Sequence, residues 1–207
     1  NFSKIIISDF IIICVPTPLK KNRTPDLSFV KDAISKIKPY LRKGQTVILE
    51  STSYPGTTND YIVKILSKNF IVGKEIFVGF SSERIDPGRN DNEIEKIPKV
   101  VSGHSKSCLE IVSKFYKIHF NKIFKAESII IAEFSKLLEN IYRSVNIGFV
   151  NEMKMIADRM NIDIFKIIKA AKTKPYGFRG YWPGPGVGGH CIPIDPLYLN
   201  FAAKKLG

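Results

Sequence analysis

The sequence predicts an α/β fold, in which a parallel β-sheet is followed by an all-α region with one long helix. Two observations lead to this prediction. Short apolar runs alternate with helical periodicity over residues 1–127, which is typical of parallel strands joined by right-handed crossovers. Residues 131–160 then contain no proline and repeat apolar side chains at helical spacing, which corresponds to about 45 Å of helix.

Four strands and three helices are predicted in the first part of the chain. The strands are short apolar runs that end at proline or polar residues, and they cover residues 10–15, 46–51 and 76–81 and a segment near residue 100. Each helix follows a polar residue suited to capping, namely Asp26 for 26–41, Thr57 for 57–68 and Ser105 for 105–119.

The long helix repeats apolar residues on one stripe. The stripe consists of Phe134, Leu138, Ile141, Val145 and Phe149. A helix of this length exceeds what so small a domain can cover, so we expect part of it to pack on a second copy of the chain as a homodimer. A second helix is predicted over residues 163–172, followed by a glycine- and proline-rich loop over 183–199.

Composition limits the class of protein. With 207 residues and 44% hydrophobic content, the chain can bury one large core or one core with a smaller unit. Its longest apolar stretch, residues 10–15, suits a buried strand and is too short for a bilayer, so no membrane partner is expected. No signal-peptide pattern is present and three cysteines cannot all pair, which predicts free thiols and a cytoplasmic protein.

The net charge of +13 raises the question of nucleic-acid binding. The lysines are spread over nearly every segment at spacings that suit solvated helix faces, without a basic run or interleaved aromatic residues. We therefore expect no nucleic-acid partner. A positive surface does favour an anionic small molecule such as a nucleotide.

Three predicted strands end in polar loops, "VPTPLK", "ESTSYPGTT" and "FSSERIDPGRND". Parallel sheets bind ligands beyond the carboxyl ends of their strands, so these loops are expected to converge on one binding edge. A G-x-G-x-x-G fingerprint is missing near the first strand, and "GPGVGGH" at 184–190 follows no strand. We therefore expect the chain to start within a doubly wound domain.

Five blocks in order, "IIICVPTPL", "ESTSYPGTT", "FSSERIDPGR", "AEFSKLLENIYRSVNIGFVNEMK" and "PGPGVGGHCIPIDPLYL", resemble the NAD-dependent nucleotide-sugar 6-dehydrogenases. The resemblance implies the second half of a Rossmann-like NAD-binding domain over residues 1–127 and a central helical dimerisation domain over 128–207. It also implies a fragment that lacks the first Rossmann half and the carboxyl-terminal UDP-binding domain, and that is inactive by itself.

The resemblance implies oxidation of a sugar C6 alcohol to a carboxylate with two NAD⁺ and one water. The blocks look most like the UDP-N-acetylglucosamine branch, followed by the UDP-N-acetylmannosamine and UDP-glucose branches, which supply precursors of surface polysaccharides. A thiolate suits this chemistry because it holds the aldehyde covalently and forms a thioester, and the resemblance assigns that role to Cys191. Two alternatives are a non-catalytic chain that folds and dimerises, and a basic nucleic-acid-binding module.

The resemblance also assigns the other catalytic residues. Lys136 stabilises the oxyanion, and Asn140 holds the sugar or that oxygen. Asp195 works with the lysine and orders the hydrolytic water, Glu83 acts as a base or in thioester hydrolysis, and Thr52 positions water near the nicotinamide.

Binding residues are predicted beside them. The cofactor contacts are Val15, Pro16, Thr17, Ser51, Thr52 and Asp86. The substrate contacts are Glu83, Arg84, Lys136, Asn140, Arg179, Gly186, Gly188 and Gly189, in which the glycines let the backbone approach the sugar and Arg179 contacts a phosphate.

Some assignments stay open at this point. Pro87 stands where the UDP-glucose branch has a second glutamate, so the role of neighbouring Asp86 is doubtful. His190 is assigned to loop packing or substrate contact, while Cys14 and Cys108 are assigned to packing. No metal is expected, since the cysteines and histidines show no C-x-x-C or H-x-x-x-H pairing.

Overall fold

The computed structural model describes residues 2–84, 94–189 and 191–207. The chain divides into two compact units. The sheet unit contains the chain up to Leu137 together with Tyr198–Gly207, and the helical unit is Leu138–Leu197. The domain bounds expected from the resemblance, 1–127 and 128–207, stay a prediction.

The sheet unit is built on five strands that follow one another in chain order across the sheet. They are β1 (Phe10–Ile13), β2 (Thr46–Leu49), β3 (Phe77–Ser81), β4 (Lys99–Gly103) and β5 (Ile123–Lys125). β1, β2 and β3 are parallel, β4 is antiparallel to β3, and β5 is parallel to β4.

The prediction of a fully parallel sheet is therefore wrong at β4. The sequence between β3 and β4 shows no helical apolar period, and an antiparallel neighbour needs no helical crossover. β5 was not predicted at all, because it has only three residues and the last two are exposed. Such a short segment carries too little apolar signal to be recognised.

The connecting helices confirm the predicted alternation. α1 is Ser28–Ile37, α2 is Lys64–Leu66 after a π-helical segment Thr58–Val63, and α3 is Lys106–Lys117; 3₁₀ turns cover Phe2–Ile7, Lys38–Tyr40 and Ile94–Lys96. The Asp26 carboxylate accepts from the Ser28 amide at 2.9 Å, and the Ser105 hydroxyl accepts from the Cys108 amide at 3.2 Å. Thr57 does not cap its segment as predicted, since its hydroxyl donates to the Tyr54 carbonyl.

The core of the sheet unit lies on both faces of the sheet. Every side chain of β2 is buried, as expected for a strand covered by helices on both sides. Phe10 of β1 stacks on Phe115 of α3 with ring centroids 4.3 Å apart. A Cβ atom at Gly103 would lie 2.2 Å from the Leu109 nitrogen, so α3 packs directly on the backbone of β4.

Three further helices complete the chain. α4 (Ile129–Arg159) confirms the long helix predicted over 131–160, and its residues up to Leu137 belong to the sheet unit. α5 is Ile164–Ala171, and its N-cap residue Asp163 accepts a hydrogen bond from the Phe165 amide through its carboxylate at 2.8 Å. α6 is Asp195–Lys204. None of the helices in the described ranges combines the length and apolarity that crossing a bilayer requires.

Candidate functional site

The loops that follow β1 and β2 are tied together at the carboxyl edge of the sheet. The Ser51 hydroxyl is buried and donates to the Val15 carbonyl at 2.7 Å. The Thr17 carbonyl accepts from the Tyr198 hydroxyl at 2.9 Å. The predicted cofactor residues Val15, Pro16, Thr17, Ser51 and Thr52 therefore lie on linked loops, while Asp86 falls outside the described residues.

A charged cluster lies at this same edge and was not predicted. Lys99 Nζ is 2.9 Å from Glu50 Oε1, and the lysine side chain is only 5% exposed. The Tyr116 hydroxyl donates to Glu50 Oε1 at 2.5 Å, and Cys14 Sγ donates to Glu50 Oε2 at 3.6 Å. The lysine neutralises a carboxylate at the edge where an anionic ligand would lie.

The cluster makes Cys14 a poor nucleophile. Burial and the Glu50 charge raise the pKa of the Cys14 thiol to about 11, and burial with the same carboxylate raises the pKa of Tyr116. Cys108 is buried and accepts from the Val78 amide at 3.4 Å.

Little in the sequence indicated the pair formed by Glu50 and Lys99. It shows only that Glu50 lies at the end of a predicted buried strand and that Lys99 lies at the beginning of another.

The structure brings Lys136 and Glu83 together. Lys136 Nζ donates a hydrogen bond to the main-chain carbonyl of Glu83. The Glu83 carboxylate is about half exposed, accepts from the Arg84 amide at 2.6 Å and lies 4.0 Å from Lys99 Nζ. Arg84 Nη1 donates to the Pro98 carbonyl at 2.9 Å, so part of its guanidinium is bound to the backbone.

Glu133, one turn before Lys136, is fully buried and binds the loop after β2. Its carboxylate accepts from the amides of Gly56 and Thr58 and from the hydroxyls of Ser53 and Thr58. Burial raises the pKa of Glu133 to about 7, and the four donors act in the opposite direction. The only sequence signal for this role was a carboxylate beside apolar residues in the first turns of a long helix.

In the helical unit, Asn140 and Asp195 form a buried pair. Asn140 Nδ2 donates to Asp195 Oδ2 at 2.5 Å, and each residue is 1% exposed. Arg143 Nη2 donates to Asn140 Oδ1, which is consistent with the amide orientation that points Nδ2 at Asp195. Arg143 was not among the predicted residues.

Cys191 lies four residues before Asp195, the first residue of α6. Its carbonyl accepts from the amides of Ile194 at 3.0 Å and Asp195 at 2.9 Å, and the residue is exposed. The structure therefore brings three predicted catalytic residues, Cys191, Asp195 and Asn140, into one cluster of the helical unit.

The loop before Cys191 adopts conformations that require glycine. Gly186, Gly188 and Gly189 have φ values of 81°, 66° and 72°. A Cβ atom at Gly186 or Gly188 would meet no described atom within 4 Å, so backbone conformation rather than crowding demands glycine there.

Asn151 of α4 holds this loop and was not predicted. Its Oδ1 accepts from the Gly184 amide and its Nδ2 donates to the Gly186 carbonyl, both at 2.9 Å. The predicted phosphate contact Arg179 is exposed and lies over the Tyr181 ring, 5.9 Å from its centroid. His190 and Pro87 lie outside the described residues.

The sheet edge suits a dinucleotide. The carboxyl ends of three parallel strands meet there, Ser51 fixes the two loops, and the Glu50 carboxylate is compensated by Lys99. Within residues 2–84, 94–189 and 191–207, no three His, Cys, Asp or Glu side chains form a metal-binding group. That the protein uses no metal stays a prediction.

Comparison with known proteins identifies both parts of the chain. The NAD-binding domain of the UDP-glucose/GDP-mannose dehydrogenase family matches residues 2–120, and the central domain of that family matches residues 131–207.

Individual relatives agree with this match. The chain is 42% identical to protein CapL of Staphylococcus aureus over 97% of this chain and 47% of that protein. It is 41% identical to a UDP-N-acetyl-D-glucosamine 6-dehydrogenase of Pseudomonas aeruginosa over 95% of this chain and 47% of that enzyme. The solved structure of a UDP-D-ManNAc dehydrogenase from Pyrococcus horikoshii is 33% identical, with a TM-score of 0.92 over 99% of this chain and 49% of that chain.

These comparisons correct one expectation. A chain lacking the first half of the NAD-binding domain was predicted from the missing G-x-G-x-x-G pattern, but the NAD-binding domain match extends from residue 2 to residue 120. The chain spans about half the length of the curated relatives it matches, at 47% for each of the first two. It contains the NAD-binding and central domains and belongs to the UDP-glucose/GDP-mannose dehydrogenase family.

Proposed function

We propose that this protein oxidises the C6 alcohol of a UDP-N-acetylhexosamine to a carboxylate in two NAD-dependent steps. The observation that carries the proposal is that Cys191 is joined through its main-chain carbonyl to the amide of Asp195, whose buried carboxylate accepts from Asn140. The free thiols of the chain suit a reaction in the cytoplasm, where precursors of surface polysaccharides are made.

UDP-N-acetylglucosamine is the substrate we propose first. Its support is the 41% identity to a UDP-N-acetyl-D-glucosamine 6-dehydrogenase. UDP-N-acetylmannosamine is the second candidate, because a relative from Methanocaldococcus jannaschii named for that substrate is 39% identical. UDP-glucose ranks third.

NAD⁺, when bound, accepts the hydride that leaves the sugar carbon in each of the two oxidations. Val15, Pro16, Thr17, Ser51 and Thr52 would hold it at the sheet edge, together with Asp86. In our proposal the Thr52 hydroxyl orders a water molecule near the reacting carbon. Lys99 keeps the Glu50 carboxylate from repelling an anionic cofactor at this edge.

In our proposal the Cys191 thiolate attacks the aldehyde carbon left by the first oxidation. The new C–S bond, together with a proton taken up by the former aldehyde oxygen, gives a thiohemiacetal. Its carbon then loses a hydride to the bound NAD⁺ and its hydroxyl releases a proton, which leaves a thioester. Water then adds to the thioester carbon and the C–S bond breaks, which releases the carboxylate and returns the thiol. One sugar therefore consumes two NAD⁺ and one water.

Other side chains are assigned to stabilising charge and moving protons in this proposal. Lys136, an ammonium group, is assigned to the oxyanion that forms at C6. Asp195 is assigned to ordering the hydrolytic water, and the Asn140 amide holds its carboxylate in place. The half-exposed Glu83 carboxylate is assigned to accept a proton during hydrolysis. Arg84, Arg179, Gly186, Gly188 and Gly189 are assigned to the sugar and diphosphate.

The partner we propose is a second copy of the chain, packed on α4. Leu138, Val145 and Phe149 of the predicted stripe are 57%, 64% and 55% exposed in the single chain. In the helical unit, an open apolar cavity of about 340 Å³ lies between α4 and α5, lined by residues such as Phe149, Met153 and Ile167. Exposed apolar surface of this kind marks interfaces in water-soluble proteins.

The test uses the complete protein product of the gene that encodes this chain. NADH absorbance is followed after each of the three UDP-sugars is added. We expect two NADH per sugar, with the highest kcat/KM for UDP-N-acetylglucosamine. A higher value for UDP-N-acetylmannosamine would reassign the substrate. A folded protein that produces no NADH with any of them would favour the non-catalytic alternative.

A further inference from the structure

Glu133 is a fully buried carboxylate that the proposed reaction does not use. It lies near the start of α4, and both of its oxygens are occupied by donors from the segment after β2. Oε1 accepts from the Thr58 hydroxyl at 2.7 Å, the Thr58 amide at 2.9 Å and the Ser53 hydroxyl at 3.3 Å. Oε2 accepts from the Gly56 amide at 2.6 Å.

These contacts fix the carboxyl-terminal end of the loop that follows β2, and the amino-terminal end of that loop is fixed as well. Ser51 fixes the near end through its hydrogen bond to the Val15 carbonyl. Glu133 fixes the far end, where the amides of Gly56 and Thr58 open the π-helical segment Thr58–Val63. Thr52 lies between the two attachment points along the chain.

The same helix also holds the loop after β3. Lys136, one turn after Glu133, donates to the Glu83 carbonyl. The first turns of α4 therefore bind two loops that carry proposed catalytic residues, Thr52 and Glu83.

We propose that Glu133 is a positioning residue: it fixes the Thr52–Thr58 loop from α4 and thereby places the Thr52 hydroxyl for catalysis. This inference rests on the proposed function. A glutamine at 133 would keep the size of the side chain but present an NH₂ group to one of its donors. At least one attachment of the loop would be lost, and small displacements of reacting groups cost up to about a hundredfold in rate.

The experiment compares Glu133→Gln with Glu152→Gln, a matched change at an exposed position of the same helix, in the complete gene product. Steady-state kinetics give kcat and the KM for the UDP-sugar. Hydrogen exchange followed by mass spectrometry reports the opening of residues 52–58 without depending on activity. For Glu133→Gln we expect kcat to fall about 10- to 100-fold with KM within about twofold, and faster exchange at 52–58; Glu152→Gln should match wild type.

Unchanged exchange at residues 52–58 in a folded Glu133→Gln protein would overturn the inference, and so would faster exchange with unchanged kcat. A loss of stability without a change in kcat below the unfolding transition would show a purely structural role.

If wild type itself makes no NADH, the proposed function and the catalytic part of the inference fail together. Hydrogen exchange at residues 52–58 then decides by itself whether Glu133 fixes the Thr52–Thr58 loop. If Glu133→Gln does not fold, Thr58→Val is used instead, because it removes only the hydroxyl donor of Thr58 to the Glu133 carboxylate. The inference then requires kcat to fall about three- to tenfold and hydrogen exchange at residues 52–58 to become faster.

Discussion

The side-chain amide of Asn140 donates a 2.5 Å hydrogen bond to the buried carboxylate of Asp195, four residues after Cys191. The contact joins the long helix α4 to the first residue of α6. A buried carboxylate four residues after the proposed nucleophile thus accepts a hydrogen bond from a neutral donor, which restricts its orientation.

Replacing Asn140 with aspartate should lower kcat at least about tenfold, because a second carboxylate would face Asp195 in place of a donor. The free energy of unfolding should fall by about 1.5–3 kcal/mol, the usual worth of a hydrogen bond to a charged group. Urea denaturation and NADH kinetics measure both effects. Asn146→Asp is the control, since the Asn146 amide donates to the Tyr142 carbonyl of its own helix; equal losses in the two variants would contradict the assignment.

Replacing Asn151 with aspartate should loosen the loop before Cys191, since the change removes the donor to the Gly186 carbonyl and places two oxygens against each other. We expect faster hydrogen exchange at residues 184–189 and a kcat/KM for the UDP-sugar lower by about tenfold. Unaltered exchange in that loop would show that Asn151 does not hold it.

The stability difference between wild type and Glu133→Gln should depend on pH. The pKa of Glu133 is raised from its usual 4.5 to about 7 by burial, so the folded protein binds the proton more tightly than the unfolded chain. Wild type therefore loses stability relative to the glutamine variant as pH rises from 4.5 to about 7, by about 3 kcal/mol in all. Urea denaturation of both proteins at pH 5, 6 and 7.5 measures this change; a difference that is constant with pH would contradict it.

Cys14 should react slowly with iodoacetamide at pH 8, because its thiol has a pKa of about 11. Changing Glu50 to glutamine removes the neighbouring charge, lowers the pKa of Cys14 and should speed its alkylation at least about tenfold. Peptide mass spectrometry gives the rate at this cysteine separately from Cys108 and Cys191. If the two proteins show the same rate at Cys14, Glu50 does not control the thiol.

Local patterns in the sequence predicted the elements with a strong apolar period. The long helix, the first three strands and the helices between them could be recognised because their apolar spacing repeats over several residues. The direction of β4 and the existence of β5 could not, since strand direction depends on pairing between distant segments and three residues give almost no pattern.

Some residues of the candidate site could likewise be predicted from the sequence, and others could not. Cys191, Asp195 and Asn140 were named from short motifs, and the structure brings them together. The supporting residues Glu133, Asn151 and Lys99 were missed, because each acts on a segment far away in the chain. Nothing in the sequence around Lys99 indicates that it meets Glu50.

The central claim, that Cys191 carries the sugar covalently, is tested most directly with Cys191→Ala in the complete gene product, with Cys108→Ala as the control. We expect Cys191→Ala to remain folded and to form no uronate, measured by chromatography of the UDP-sugar products, while Cys108→Ala retains turnover. Uronate formation by Cys191→Ala at the wild-type rate would contradict the covalent mechanism.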